Sequence, residues 1–296
     1  MKYYILFILI LFTGCNNNTT LDENVSAENN DSISQTNTDN NHSSSSPTEN
    51  ATPSNNTNTT EQPTPNNTTT STTPTNHYQT LIYDTFNSFD KTIWQKADWS
   101  NGTPFYNAWC PNQVNFNQSL LTLRLDQLTC HEKTHASGEY RTLDNYKYGR
   151  YTVRMKTSNI VGTISSFFTY TGPAEGTQWD EIDIEILGLT PQKIQINYWR
   201  NGKEHPKTFN LGFDASKNFH TYSFVWRKEY IQWYVDNTLI YEVKENHLKN
   251  NDSLPINPGK IIMNLWAAIG IESWSGKYIQ NTSSQAYYDY VKYEIY

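Results

Sequence analysis

The sequence predicts an all-β domain built as a two-sheet antiparallel β-sandwich. Short runs of alternating apolar and polar residues recur along the chain with turn residues between them, which is typical of strands and hairpins. No window of comparable quality supports an amphipathic helix. The length of residues 78–296 suits a single all-β domain, and the number of runs favours a sandwich over a closed barrel. The runs lie at 120–128, 149–157, 164–172, 193–202, 220–243, 260–266 and 286–296.

The chain begins with a segment that is typical of a bacterial secretion signal. Lys2 precedes an apolar run of about ten residues, which is too short to span a bilayer as a helix. The run ends in small residues before Cys15, and this ending is similar to the lipobox of lipoproteins, although Phe12 stands where an aliphatic residue is usual. We expect residues 1–14 to be a signal peptide and Cys15 to be lipidated, which would tether an exported protein to a membrane. Ordinary signal cleavage beside an incidental cysteine is the alternative.

Residues 15–77 are rich in Asn, Thr, Ser and Pro and contain almost nothing apolar. Such a composition cannot bury enough surface to offset the entropy cost of folding, so we predict a disordered tether. The tether contains seven acidic residues and no Lys or Arg, and it therefore accounts for most of the net charge of −7. Residues 78–296 are close to neutral, and no basic patch suggests a nucleic-acid partner.

Two of the three cysteines lie in the predicted domain. Cys110 and Cys130 form an even pair in an exported protein, where a disulfide can persist. The sequence favours a disulfide between them over two buried thiols.

The segment WDEIDIEIL at 179–187 places three carboxylates on one face of a predicted strand. Successive side chains of a strand point to opposite faces, so Glu181, Asp183 and Glu185 share the face of Trp179, and three isoleucines occupy the other face. Like charges on one strand face are destabilising. The pattern therefore indicates a chemical role for these acids.

Glu181 and Glu185 have the spacing of a glycosidase pair. Their Cα atoms are about 13 Å apart at about 3.3 Å per residue, and their side chains can reach inward to the roughly 5–5.5 Å separation of retaining enzymes. One carboxylate would attack the anomeric carbon and the other would protonate the leaving oxygen, while Asp183 would help to keep the two in different protonation states. The spacing alone leaves open a calcium site, a solvated strand face and the groove of a non-catalytic lectin.

Aromatic residues make up 14% of the chain, with nine Trp and 21 Tyr. We expect many of them to be exposed, because a core of this size does not need so many. Exposed Trp and Tyr in an exported protein suggest surfaces that stack on the apolar faces of sugar rings. The alternative is that Tyr-rich sheets pack with aromatic side chains.

Several longer stretches carry a specific family pattern. They are SGEYRT at 137–142, GTISSFFTYTGPAEGTQWDEIDIEILG at 162–188, INYWRNG at 196–202, NLGFDASKNFHTYSFVW at 210–226, WYVDNTLIY at 233–241 and PGKIIMNLW at 258–266. With these stretches the chain closely resembles the bacterial lichenases, which are the β-1,3-1,4-glucanases of glycoside hydrolase family 16. The resemblance extends from about Tyr83 to Tyr296 and does not include the tether.

The resemblance implies a jelly-roll, concanavalin-like β-sandwich whose concave sheet forms an open substrate cleft. It also implies a retaining endo-hydrolase that cleaves β-1,4 linkages in mixed-linkage glucan without a catalytic cofactor. By matching positions, Glu181 is the nucleophile, Glu185 the acid/base and Asp183 the assisting carboxylate. The implied sugar contacts are Asn101, Glu139, Arg141, Phe168, Tyr170, Trp179, Asn197, Trp199, Asn264, Trp266 and Trp274.

The resemblance further implies a structural calcium ion on the convex side, bound by the carboxylate of Asp289 and by backbone oxygens. We expect a monomer whose partners are a polysaccharide substrate and, through Cys15, a membrane.

The chain departs from the family pattern in places that affect substrate preference. Trp199 replaces a common Tyr, Ala267 replaces a common Asn, and Cys130 lies nine residues before Glu139, so the loop between them is longer than usual. Two rival functions follow. A β-1,3-glucanase (laminarinase) shares the scaffold, but many of these enzymes carry an extra residue before the last glutamate that EIDIE lacks. A non-catalytic glycan-binding lipoprotein would not need the acid pair.

Overall fold

A computed structural model describes residues 78–249 and 252–296. The predicted signal peptide at 1–14, the lipidation site Cys15 and the predicted tether at 15–77 lie outside the described residues. Strands are the main regular structure of the described chain, and its one α-helix, α1, covers only Glu272–Ser275. No helix in this part of the chain is long and apolar enough to cross a membrane.

Eighteen strands build the domain. Their bounds are β1 Gln79–Asp84, β2 Trp94–Lys96, β3 Ala108–Trp109, β4 Val114–Phe116, β5 Leu121–Asp126, β6 Ala136–Ser137, β7 Glu139–Thr142, β8 Gly149–Lys156, β9 Thr163–Thr171, β10 Asp180–Leu187, β11 Lys193–Arg200, β12 Lys203–Glu204, β13 Lys207–Asn210, β14 His220–Trp226, β15 Tyr230–Val235, β16 Thr238–Lys244, β17 Lys260–Ala267 and β18 Ser284–Ile295.

The strands form two sheets. The ten-stranded sheet has the order β16-β15-β14-β8-β18-β5-β6-β3, with β1 paired to β18 and β4 to β5. The eight-stranded sheet has the order β12-β11-β10-β9-β17-β7-β2, with β13 paired to β11. All pairings are antiparallel within the described residues except that of β3 with β6. The predicted two-sheet sandwich is therefore present, and β10 carries the acidic segment near the middle of the eight-stranded sheet.

The core lies between the two sheets. Ile182, Ile184 and Ile186 of β10 are fully buried on the inner face, as the alternation predicts. Phe167 of the eight-stranded sheet packs against Phe224 of the other, with ring centroids 5.9 Å apart. The burial of such side chains supplies most of the favourable free energy of folding.

Two buried aromatic side chains of the ten-stranded sheet donate hydrogen bonds to the backbone of β9, β10 and β17 in the other sheet. Trp233 Nε1 donates to the carbonyl oxygen of Asp183 at 3.1 Å, and Tyr288 donates to the carbonyl oxygens of Ser166 and Asn264. Buried indole and phenol groups need such partners. These bonds fix the strands that carry the acidic segment against the opposite sheet.

The prediction that many aromatic residues are exposed is wrong for most of them. Among the described residues, only Tyr83 and Phe89 are aromatic side chains exposed by more than a third. Many aromatic rings instead lie in the core between the sheets, where large side chains from the two inner faces contact each other. The Trp residues divide by position: Trp94, Trp109, Trp226, Trp233 and Trp266 are buried, and Trp99, Trp179, Trp199 and Trp274 are partly exposed.

The structure contains the predicted disulfide between Cys110 and Cys130, which are 20 residues apart. The expected calcium site fits less well. Asp289 lies at a bulge of β18, and its carboxylate receives a hydrogen bond from Arg154 Nη1 at 2.5 Å. Within residues 78–249 and 252–296, no group of three or more His, Cys, Asp or Glu side chains could hold a metal. A guanidinium on the carboxylate opposes a second cation there, and calcium at Asp289 stays a prediction.

Candidate active site

Strand register brings the predicted site residues together on the outer face of the eight-stranded sheet, which we call the active-site face. Residues directly opposite each other in antiparallel strands share a face. Three cross-strand rows therefore run through the acids of β10. The rows are Tyr170, Glu181, Trp199 and Glu204; then Arg141, Phe168, Asp183 and Asn197; and then Glu139, Asn264, Glu185 and Gln195.

Glu181 is held by two hydrogen bonds. Trp179 Nε1 donates to Glu181 Oε2 at 2.5 Å, and the side chain of Asp183 also bonds to Glu181. Burial raises the pKa of Glu181 to about 7, and the bonds from Trp179 and Asp183 oppose that rise. Both bonds favour the ionised form of Glu181, as a nucleophile requires.

Asp183 is the most buried of the three acids and is only 4% exposed. Burial raises its pKa well above the ordinary value, and the neighbouring charges of Glu181 and Glu185 raise it further. Asp183 therefore keeps its proton to higher pH than an ordinary aspartate, and in the protonated form its hydroxyl can donate to Glu181.

Glu185 also keeps its proton to higher pH than an ordinary glutamate. Burial raises the pKa of Glu185 to about 8, with further contributions from the charges of Glu181 and Glu204. Gln195 Nε2 lies 3.4 Å from Glu185 Oε2, and the other end of this amide accepts a hydrogen bond from Trp274 Nε1 at 2.8 Å. Trp274 thus orients Gln195 so that its donor faces Glu185.

A polar cluster lies on the same face, on β7 and β17. Asn264 Nδ2 donates to Glu139 Oε2 at 3.3 Å, and Arg141 Nη1 lies 3.7 Å from Glu139 Oε1. Arg141 Nη2 also pairs with Glu175 at 2.9 Å. Glu139 Oε1, Arg141 Nε and Asn264 Oδ1 are buried and have no hydrogen-bond partner in the structure. Unsatisfied buried polar atoms require an explanation, and hydroxyl groups of a bound sugar would supply it.

Aromatic rings flank the acids on both sides. The indoles of Trp179 and Trp199 stack with centroids 4.3 Å apart and an interplanar angle of 9°. Trp266 packs near Trp274 at 6.0 Å. Tyr170, which pairs with Glu181 across the strands, meets Trp179 edge to face. This arrangement offers apolar faces on which sugar rings can stack.

Two of the predicted amide contacts lie in different settings. Asn197 is buried, and its Oδ1 accepts a hydrogen bond from the backbone N–H of His205 at 2.8 Å, which leaves its amide nitrogen as the free end. Asn101 lies in the loop between β2 and β3, two residues after Trp99. The guanidinium of Arg141 lies over the Trp99 ring, 5.4 Å from its centroid.

The structure thus places ten of the predicted contact residues on or beside the active-site face and Asn101 in the loop at its β7 edge. Four residues at this site were not predicted: Trp99, Glu175, Gln195 and Glu204. The alternation of β11 could have indicated Gln195, because every second residue of a strand shares a face and Gln195 therefore lies on the face of Asn197 and Trp199. The Asn-Gly turn at 201–202, a typical two-residue hairpin connection, could have placed Glu204 opposite Trp199.

Paired carboxylates on one strand, with aromatic surfaces and a polar cluster around them, define a glycoside hydrolase built on a β-sandwich. The sequence pattern of glycosyl hydrolases family 16 matches residues 101–292. The chain belongs to this family. Both the family and the sandwich predicted from the sequence are therefore confirmed.

Named relatives agree with this assignment. A beta-glucanase of Acetivibrio thermocellus is 48% identical over 215 residues, which are 72% of this chain and 62% of that protein. This chain therefore spans less than two thirds of the length of that relative.

Solved structures resemble the domain as well. The Bacillus licheniformis beta-glucanase is 43% identical with a TM-score of 0.67, and the match covers 72% of this chain and 96% of that chain. A prokaryotic beta-1,3-1,4-glucanase (lichenase) derived from a mouse hindgut metagenome is 41% identical with a TM-score of 0.68, over 72% and 97% of the two chains.

Proposed function

We propose that the protein is a retaining endo-β-glucanase that cleaves β-1,4 linkages in mixed-linkage β-1,3-1,4-glucan. The observation that carries the proposal is the placement of two glutamates on one face of β10 with different hydrogen-bond partners. Glu181 accepts hydrogen bonds from Trp179 and Asp183, whereas Glu185 lies beside the amide nitrogen of Gln195. Donors that stabilise the ionised form suit a nucleophile, and a carboxyl whose pKa is raised by burial suits a general acid.

In the first step, a carboxylate oxygen of Glu181 forms a bond to the anomeric carbon while the glycosidic C–O bond breaks. The bonding electrons pass to the leaving oxygen, which takes the proton of Glu185. In the second step, Glu185 takes a proton from water, the water oxygen attacks the anomeric carbon, and Glu181 leaves. Asp183 donates to Glu181 and is a positioning residue in this scheme.

The other predicted residues are assigned to sugar binding. Trp179 and Trp199 would stack on sugar rings, and Glu139, Arg141 and Asn264 would bind hydroxyl groups through their unpartnered atoms. The remaining assigned contacts are Asn101, Phe168, Tyr170, Asn197, Trp266 and Trp274.

The mixed-linkage substrate is supported by the EIDIE segment without an extra residue and by the similarity to an enzyme described as a β-1,3-1,4-glucanase. We also propose that the protein is exported and held at a membrane through lipidated Cys15. Labelling of cells with a fatty-acid analogue tests this anchor, because Cys15→Ala should remove the label.

Reducing-sugar release from lichenan, barley β-glucan and laminarin tests the function. Wild type should hydrolyse the first two, and Glu181→Gln or Glu185→Gln should lower kcat by at least about 100-fold. Glu242→Gln, the same change on the other sheet, is the matched control and should have no effect. Activity confined to laminarin would contradict the substrate assignment. Binding of glucan without hydrolysis by wild type would indicate a glycan-binding protein.

A further inference from the structure

The longer loop before Glu139 forms a turn that a disulfide attaches to the sandwich. Cys130 and Lys133 exchange backbone hydrogen bonds of 3.0 and 3.1 Å, which close a tight turn over residues 130–133. The disulfide joins Cys130 to Cys110, the residue directly after β3. We call residues 130–133 the clamp turn. The two hydrogen bonds close the turn on itself, and the disulfide attaches it to the residue after β3.

The clamp turn contacts both ends of residues 98–105, which we call the rim segment. His131 Nε2 lies 3.0 Å from Asp98 Oδ1 at the start of this segment. Lys133 Nζ donates to the carbonyl oxygen of Phe105 at its end, at 2.8 Å. The two contacts are made by side chains two residues apart, so one short turn contacts both ends of the rim segment.

The rim segment carries groups that face the polar cluster of β7 and β17. The ring of Trp99 lies under the guanidinium of Arg141, at 5.4 Å. Phe105 packs against Trp266 at 4.9 Å. Asn101, one of the proposed sugar contacts, lies between them in the chain. The position of this segment therefore determines the shape of the active-site face at its β7 edge.

This edge is remote from the reacting bond. Strands β9 and β17 lie between β10 and β7, so three strand spacings of about 4.8 Å separate the acids from β7 by about 14 Å. A glucose ring at the reacting carbon does not extend that far. Groups on the rim segment can contact only a more distant unit of a chain that lies across the strands.

We propose that the clamp turn is a positioning element that fixes the rim segment and thereby sets how tightly the enzyme holds the distal part of a long glucan. This proposal rests on the proposed β-glucanase function. Backbone hydrogen bonds attach Trp99 to Trp109 and Pro104 to Ile269, so release from the clamp turn would loosen mainly residues 100–103 between them. These residues would have to be ordered again when a long chain binds, and ordering a segment lowers affinity. The acids of β10 are unaffected, so the chemical step keeps its rate.

Steady-state kinetics on a graded series of aryl β-oligoglucosides, which differ only in chain length, test the proposal. His131→Ala/Lys133→Ala removes both contacts and keeps the disulfide, and Cys110→Ser/Cys130→Ser removes the covalent attachment. Lys244→Ala/His247→Ala makes the same two alanine changes at the end of β16 and in the turn that follows it, and is the matched control. Both clamp variants should raise KM for the longest substrate about tenfold, which corresponds to a loss of about 1.4 kcal/mol in binding. For the shortest substrate, kcat and KM should stay within about twofold of wild type.

Three results would overturn the proposal. They are an equal loss for every chain length, a fall in kcat with unchanged KM, and no change for any substrate. If wild type hydrolyses none of the series, the proposed function fails instead. Binding of unlabelled oligosaccharides, followed by tryptophan fluorescence, then tests the clamp-turn proposal. Weaker binding of only the longest oligosaccharides by the clamp variants supports the proposal. Any other pattern contradicts it.

Discussion

Replacing Glu204 by Gln tests how the protein keeps a proton on Glu185. Glu204 lies on β12, opposite Trp199 of β11, and β11 in turn pairs with β10. It therefore faces the same side of the sheet as the acids of β10. The neighbouring Lys203 pairs with Asp252 at 2.9 Å. The charge of Glu204 is one of the causes that raise the pKa of Glu185.

The size of the effect follows from the strand spacing. Two spacings of about 4.8 Å separate β12 from β10 sideways. Glu204 lies in the row of Glu181, four residues along the strand from Glu185, so the Cα atoms of Glu204 and Glu185 are about 16 Å apart. Two unit charges at about 16 Å interact by roughly 1 kcal/mol at an effective dielectric constant of about 20. One pKa unit corresponds to about 1.4 kcal/mol, and salt in the open site weakens the interaction further. We expect Glu204→Gln to lower the pKa of Glu185 by up to about 0.7 unit.

The assay is the pH dependence of kcat/KM on barley β-glucan. Glu185 must be protonated to act as the acid, so activity falls as pH rises through its pKa of about 8 in the free enzyme. Glu204→Gln should move this alkaline limb to lower pH and leave the acid limb nearly in place. Glu242→Gln should move neither limb. An alkaline limb that stays in place, or that moves to higher pH, would refute the reasoning.

Three further predictions concern stability. Glu185→Gln should be more stable than wild type by at least about 1 kcal/mol at pH 8 in denaturant unfolding, and no more stable near pH 4. The pKa of the Glu185 carboxyl is raised from 4.5 to about 8 in the folded protein, so the fold holds a proton that the unfolded chain releases. Wild type therefore loses stability as pH rises between these two values. A Glu185→Gln variant that is less stable than wild type at pH 8 would contradict this. Asp180→Asn should lower the free energy of unfolding by about 3–5 kcal/mol in denaturant unfolding, because buried Asp180 binds Arg200 through both carboxylate oxygens. A loss below about 1 kcal/mol would show that the Asp180–Arg200 ion pair does not stabilise the fold. EDTA or added calcium should leave the melting temperature unchanged, because Arg154 binds Asp289; a change of several degrees would show a calcium site.

The sequence predicted the strands that are long enough to show alternation. The acidic strand is an example: Ile182, Ile184 and Ile186 are buried, while Glu181 and Glu185 remain partly accessible on the opposite face. Strands of two or three residues, such as β3 and β6, contain less than one full alternation and could not be recognised. Their positions depend on tertiary pairing, which local pattern does not encode.

Long-range pairing also explains what was missed at the site. Glu139 meets Asn264 because β7 pairs with β17, and these residues are 125 positions apart. Arg154 reaches Asp289 across 135 positions, a contact that the sequence could not indicate. The raised pKa values of the two glutamates depend on burial and on neighbouring charges. Both appear only when the strands are assembled.

The most direct test of the central claim is the anomeric form of the first product from barley β-glucan, followed by NMR during hydrolysis. The proposed double displacement through Glu181 predicts that the β-anomer appears first and that the α-anomer grows only by mutarotation. Glu181→Gln should release neither. Initial release of the α-anomer by wild type would mean inversion and would contradict the role assigned to Glu181.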